Sequence, residues 1–234
     1  TPIPRTLLLC HFGDLDASQI KQKPLGRKEI KTVTFSAKKI QELIKKIHGA
    51  LAEGEKIYWI CPLIEDSETI SAANATQRFE MLQKHFGTKV FLLHGQMKPA
   101  EKEAQMQCFK AEKSALLVAT TVIEVGIDVP EATIIIIENA ERFGLSQLHQ
   151  LRGRVGRSHK ASFCVLMYDE PLSATARARL NVLRHSNDGF IIAEEDLRLR
   201  GSGNVLGKEQ TGMPQFKFAN LAYDSDLLLQ AYKE

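Results

Sequence analysis

The chain has few cysteines and no long apolar run. Its four cysteines lie about fifty residues apart, without any C-x-x-C pair. This spacing argues against a disulfide framework or a zinc site, and it favours reduced thiols in the cytosol. The longest apolar runs are short, as in residues 132–137, whereas a membrane-spanning helix needs about 20 such residues.

The sequence also lacks a large excess of positive or negative charge. The sequence has 31 Lys and Arg against 28 Asp and Glu, a net charge of +3, which is too small to identify a nucleic-acid-binding protein. Hydrophobic residues make up 44% and charged residues 25%, as in ordinary globular domains. Collagen-like and wholly disordered chains are therefore excluded.

Strand and helix patterns alternate along the chain. Short apolar or alternating segments predict strands at residues 29–35, 57–61, 90–93, 116–119, 134–137 and 163–168. Helical spacing lies between them, beginning with a helix that Ser36 is expected to cap, and a later helix is expected from Ala75 to Phe86. The alternation predicts an α/β fold with a mostly parallel sheet flanked by helices. Loops at the carboxyl ends of such strands share one edge, where ligands bind.

The most specific segment is QLRGRVGR at residues 150–157. Three arginines make poor core residues, and Gly153 and Gly156 predict a tight turn. Arg154 and Arg157 would then present planar, permanently charged groups that suit phosphate oxygens. For a bare arginine cluster, a solvated basic loop is the alternative interpretation.

A second segment, VATTVIEVGIDVP at residues 118–130, begins as a strand and breaks at Thr120 and Thr121. Hydroxyls and backbone N–H groups at a strand end suit a nucleic-acid phosphate. Gly126 permits close approach of the backbone, and Asp128 offers an acceptor for a ribose hydroxyl, although it also suits a simple turn.

A third segment, His94-Gly95, follows the predicted strand at residues 90–93. In their order and spacing along the chain, the three segments resemble the second motor domain of superfamily 2 helicases and translocases. The first segment matches its motif Q-x-x-G-R-x-G-R, and the second matches its motif A-T-x-x-x-x-x-G-I-D-x-P. The resemblance implies a RecA-like (P-loop NTPase-type) sheet.

The strings TPIPRTL, LHGQMKPAEK and VIEVGIDVP narrow the resemblance to the RecG family of bacterial ATP-dependent DNA helicases. Residues 194–212 resemble a translocation motif that this family shares with transcription-repair coupling factors. Ser202, Asn204 and Glu209 depart from the RecG pattern, and Glu209 puts in doubt how literally the family's translocation contacts transfer.

The resemblance implies roles for individual residues. The catalytic set is Arg154, Arg157 and Gln150. The ATP-binding set is Gly126 and Asp128. The DNA-binding set is Thr120, Thr121, His94 and Gly95. The set that couples hydrolysis to translocation is Arg179, Arg200 and Gln210. No metal ligand is expected.

We expect three segments: residues 1–28 as the tail of a first motor domain with a linker, 29–170 as the second motor domain, and 171–234 as a C-terminal translocation element with a helical hairpin. The Pro-rich start without Met is interpreted as that of an excised fragment. The sequence has no G-x-x-x-x-G-K-[ST] phosphate loop, so this fragment alone should not hydrolyse ATP.

The implied function of the whole protein is ATP-dependent remodelling of branched double-stranded DNA at stalled replication forks, in recombination and repair. ATP and Mg²⁺ would be bound mainly by the missing first motor domain. Expected partners are branched DNA, the first motor and wedge domains of the parent chain, and a single-stranded DNA-binding protein, without a membrane and in the cytoplasm. The alternatives are a transcription-repair coupling factor and a non-catalytic binding module with a helicase fold.

Overall fold

The computed structural model describes residues 28–62, 68–120 and 129–200. The strands in these ranges are β1 (Ile30–Ser36), β2 (Lys56–Ile60), β3 (Val90–Leu93), β4 (Ala115–Ala119), β5 (Ala132–Ile137) and β6 (Ser162–Tyr168). The α-helices are α1 (Ile40–Ala52), α2 (Glu68–Phe86), α3 (Pro99–Ala111), α4 (Leu145–Arg152), α5 (Ala174–His185) and α6 (Gly189–Arg200). None of the helices in these ranges is long and apolar enough to cross a membrane.

The six strands form one parallel sheet in the order β1-β6-β5-β2-β4-β3. Helices α1 and α2 follow strands whose successors lie in one direction across the sheet, and α3 and α4 follow strands whose successors lie in the other. Because parallel crossovers have one handedness, these two pairs cover opposite faces. The predicted α/β fold with a parallel sheet is confirmed.

Two apolar clusters fill the space between the sheet and its helices. One contains Leu43 and Ile47 of α1 with Leu82 of α2. The other contains Phe109 of α3, Leu148 of α4 and residues of α5 and α6. Because both faces are covered, the central strands are almost wholly buried, which accounts for their continuous apolar sequences.

Two local details differ from the sequence-based expectation. Ser36 makes no side-chain capping hydrogen bond, because the chain enters α1 through a 3₁₀ turn, Ala37–Lys39. Helix α2 begins at Glu68, seven residues before the expected start at Ala75. Its first two turns are rich in small and polar residues, so the sequence has little apolar periodicity there.

Candidate functional site

The arginine turn, which we define as residues 153–157, follows directly from the end of α4. The N–H of Gly153 donates to the carbonyl of His149 (3.0 Å), and that of Arg154 donates to the carbonyl of Leu151 (3.0 Å). The chain thus continues to coil past Arg152. The turn then reverses at Gly156, which has a φ of +75°.

Only one of the two glycines is required by backbone conformation. Gly156 lies in the left-handed region, and a Cβ atom there would lie 2.8 Å from Cγ1 of Ile30. Gly153 has a φ of −67°, which any residue adopts. The expectation that both glycines permit an unusual turn is therefore correct for Gly156 alone.

Arg152 is a structural residue rather than part of an exposed cluster. It is 2% exposed. Its Nη1 donates to the carbonyls of Leu183 (2.8 Å) and Ser186 (2.8 Å) and, at 3.4 Å, to Oγ1 of Thr32. The expectation that all three arginines avoid the core is wrong for Arg152, because backbone carbonyls at the end of α5 satisfy its guanidinium.

His149 completes the surroundings of this buried guanidinium. Nη2 of Arg152 lies 2.9 Å from Nδ1 of His149. Because arginine has only donors, Nδ1 is the acceptor and carries no proton. Burial lowers the pKa of Arg152 from its ordinary value, yet arginine stays charged at neutral pH. The end of α4 is thereby fixed to the end of α5.

The two arginines of the predicted catalytic set are half-buried on the turn itself. Nε of Arg157 donates to the carbonyl of Gly153 (3.2 Å), and Val155 between them is buried. The segment beyond the turn is held by Lys160, whose Nζ lies 3.2 Å from a carboxylate oxygen of Glu55. The half-buried Gln150 lies on α4, between two buried leucines.

Three of the predicted DNA-binding residues, Thr120, His94 and Gly95, lie at the carboxyl ends of β3 and β4. Thr120 is 1% exposed, and its N–H donates to the carbonyl of Leu93 (3.2 Å). Its buried Oγ1 has no hydrogen-bond partner among the described residues. The carbonyl of Gly95 accepts from Nζ of Lys102 (2.7 Å).

His94 follows β3 directly and is half-buried. Desolvation and, after it, the charge of Lys102 lower the pKa of His94 below its ordinary value of 6.5. The side chain is therefore neutral at pH 7, and its buried Nδ1 has no partner among the described residues. It can bind a polar ligand group without contributing charge.

The structure separates these two groups of residues. The arginine turn lies at the amino ends of the strands, because Gly156 adjoins Ile30 and Ser162, the first residues of β1 and β6. Thr120 and His94 lie at the carboxyl ends of the strands. A five-residue strand spans about 17 Å, so no ligand smaller than this bridges both groups within this domain.

The predicted coupling residue Arg179 lies on α5 and points to the segment before α4. Its Nη1 donates to the carbonyl of Phe143 (2.8 Å) and its Nη2 to that of Glu141 (3.1 Å). Arg200 is the last residue of α6, and only its backbone is described. Thr121, Gly126, Asp128 and Gln210 lie outside the described residues.

Sequence reasoning did not find a buried polar cluster at the carboxyl end of β5. Trp59 is 0% exposed and belongs to the apolar core. Its indole N–H donates to Oε1 of Glu138, whose other oxygen accepts from Nη2 of Arg78 (3.1 Å). Because a buried indole N–H needs a hydrogen-bond acceptor, the single tryptophan was the feature of the sequence from which this cluster could have been predicted. Across the described ranges, no group of three His, Cys, Asp or Glu side chains suits a metal ion.

Comparisons with known proteins agree with this geometry. The family model described as "Helicase conserved C-terminal domain" matches residues 38–159. The chain therefore belongs to the family of helicase C-terminal domains. A second model, "ATP-dependent DNA helicase RecG, domain 3, C-terminal", matches residues 186–234 and places the chain among the RecG sequences of that family.

Individual relatives lead to the same assignment. "ATP-dependent DNA helicase RecG" of Pasteurella multocida (strain Pm70) is 53% identical over 230 residues, which are 97% of this chain and 33% of the relative. The protein of the same name from Escherichia coli (strain K12) is 52% identical, with the same coverage. The chain spans about a third of the length of these relatives. The predicted resemblance is confirmed.

The chain is also similar to a solved structure. It is described as "Structure of RecG bound to three-way DNA junction", and it is 38% identical with a TM-score of 0.72. The match covers 97% of this chain and 29% of that one. These similarities do not favour a transcription-repair coupling factor.

Proposed function

We propose that this chain is the second motor domain, with the translocation element, of an ATP-dependent translocase that remodels branched double-stranded DNA. Residues 29–170 form the motor domain, 171–234 the translocation element, and 1–28 the link to a first motor domain. The proposal extends to stalled replication forks, recombination and repair. The observation that carries it is the arginine turn.

The construction of that turn supports a role at phosphates. Gly156 reverses the chain at a position where a side chain would clash with Ile30. Arg152 fixes the end of the preceding helix to the end of α5. Arg154 and Arg157 are thereby held on a short turn, where both residues are half-buried. Planar guanidinium groups stabilise charge on a transferring phosphoryl group, and Gln150 on the same helix would orient the reacting groups.

ATP and Mg²⁺ would be held mainly by the first motor domain, with Gly126 and Asp128 contributing from this one. Mg²⁺ neutralises charge on the phosphates when it is bound there. On the DNA side, Thr120, Thr121 and His94-Gly95 would contact backbone phosphates at the carboxyl edge. The unpartnered polar atoms of Thr120 and His94 among the described residues support this assignment.

The partners that we propose follow from this role. They are branched DNA, the first motor domain, an upstream wedge domain and a single-stranded DNA-binding protein, in the bacterial cytoplasm. The name and DNA ligand of the similar solved structure support the choice of branched DNA.

Arg157→Ala tests the proposal in the complete polypeptide. An arginine that acts in the transition state contributes about 10³–10⁵ in rate, so DNA-stimulated ATP hydrolysis should be lost while nucleotide binding largely survives. Arg154→Ala should behave similarly. Arg184→Ala is the matched control, because it removes an exposed arginine from α5. Turnover of Arg157→Ala within a few-fold of the control would contradict the catalytic role.

The coupling role of Arg179, Arg200 and Gln210 needs a different experiment. We expect Arg200→Ala or Gln210→Ala to leave ATP hydrolysis substantially intact while unwinding of forked DNA falls sharply. Both activities should be measured on the same folded preparation. If these residues only stabilise the fold, the two activities decrease in parallel.

A further inference from the structure

A crevice opens at the carboxyl ends of β1 and β6. These two strands lie on the opposite side of the sheet from β3 and β4. It has a volume of about 410 Å³. Thr34 of β1, Tyr168 of β6 and Leu180 of α5 line it, and Arg177 and Asn181 of α5 contribute polar groups. Nothing in the proposed function uses these side chains.

The topology accounts for this opening. The chain leaves β1 for α1 on one face of the sheet, and it leaves β6 for α5 on the other face. Neighbouring parallel strands whose connections diverge in this way leave a gap at their carboxyl ends. Such positions are where ligands bind in open α/β sheets. Pockets for small ligands range upward from about 300 Å³.

The charges around the crevice favour an anion. Glu170 lines it, but its carboxylate accepts a hydrogen bond from Nζ of Lys38 (2.7 Å). That contact lowers the pKa of Glu170, and it neutralises the charge locally. Arg177 is exposed, and its guanidinium makes no hydrogen bond or ion pair with any described residue. One positive charge therefore remains available.

The other lining groups favour a ligand with a flat, partly apolar body. The phenol ring of Tyr168 and the side chains of Pro171 and Leu172 supply apolar surface. Thr34 and Asn181 supply a hydroxyl and an amide, which suit the polar edge of a nucleobase. An inorganic anion would use only Arg177 and would leave most of the volume empty.

We propose that this crevice binds a nucleoside monophosphate, with Arg177 at the phosphate and Tyr168 against the base. Aromatic rings stack on bases of any sequence, and arginine matches phosphate geometry. The same chemistry is presented by a free nucleotide and by an unstacked nucleotide of a single strand. This proposal does not depend on the catalytic role of the arginine turn.

Binding of thymidine 5′-monophosphate and of an eight-nucleotide oligothymidylate to the complete polypeptide tests the proposal. Saturating ADP and Mg²⁺ keep the probes out of the motor cleft, and calorimetric titration gives the Kd without any turnover. Arg177→Ala should weaken binding about tenfold or more. Arg184→Ala removes the same charge two turns further along α5, outside the crevice, and should change the Kd less than twofold.

Each outcome has a defined meaning. If Arg177→Ala weakens binding of the monophosphate and Arg184→Ala does not, the crevice is supported as a site for free nucleotides. If only the oligonucleotide shows this dependence, the crevice takes a nucleotide of a strand. If neither probe binds, or if both variants weaken binding equally, the proposal is wrong. Both substituted positions are exposed, so unfolding does not confuse the comparison.

Discussion

Replacing Arg152 by methionine keeps much of the length of the side chain but removes its N–H donors. The carbonyls of Leu183 and Ser186 would lose the donor that now lies 2.8 Å from each. An unsatisfied buried carbonyl costs about 1–3 kcal/mol. The loss is partly offset, because a buried guanidinium no longer has to be desolvated. We therefore expect Arg152→Met to lower the free energy of unfolding by about 2–5 kcal/mol.

Urea denaturation followed by tryptophan fluorescence measures this change. Trp59 is the single tryptophan of the sequence and is fully buried, so its emission reports on unfolding of the core. Arg184→Met on the exposed surface of α5 is the matched control, with an expected change within about 0.5 kcal/mol. Arg152→Lys should lie between the two, since lysine keeps the charge but lacks the planar fork.

An Arg152→Met variant as stable as the unchanged chain would contradict this prediction. Apolar residues sometimes replace buried ionic groups without cost, when packing compensates for the lost contacts. That result would mean that the guanidinium does not fix the end of α4 to the end of α5.

Three further predictions use the same denaturation assay or simple labelling. Gly156→Ala should destabilise the fold by about 1–3 kcal/mol more than Gly54→Ala, since both glycines have positive φ but only Gly156 would place a Cβ against a side chain. Iodoacetamide at pH 8 should alkylate the exposed Cys108 in the folded chain, and it should modify Cys164 only in urea. The reason is that burial raises the pKa of Cys164 to about 12 in the folded chain. Peptide mass mapping shows which cysteines are modified. Folding lowers the pKa of His94, so the unfolded chain takes up a proton first as the pH falls. The free energy of unfolding should therefore decrease as the pH falls below about 6.5. If the free energy of unfolding of His94→Gln depends on pH in the same way as that of the unchanged chain, this prediction is wrong.

The order of strands and helices could be predicted because each central strand is buried on both faces. Such strands appear in the sequence as short apolar runs, as in β4 and β5. The start of α2 could not be predicted. Its first turns contain few apolar residues, and a helix of this kind is stabilised by its neighbours rather than by its own periodicity.

The arginine cluster shows why the site was only partly predictable. Sequence spacing singled out the segment, but it treated Arg152 like its two neighbours. Two of the acceptors of Arg152 are backbone carbonyls more than thirty residues away, and no side-chain type in the sequence marks them. Glu138 and Trp59, 79 residues apart, illustrate the same limit for a buried pair.

Both ends of α4 are held to α5, which bears on how motion would pass through the domain. Arg152 joins the end of α4 to carbonyls at the end of α5. Arg179 of α5 holds the segment before α4 through the carbonyls of Glu141 and Phe143. These two contacts, one at the end of α4 and one just before its start, restrict sliding and rotation of α4 against α5. If the arginine turn is displaced when nucleotide is hydrolysed, α4 and α5 therefore move together as one unit. Helix α6 packs on both of them and contains residues 194–200, the first part of the segment that resembles a translocation motif, so the displacement would reach these residues through packed helices.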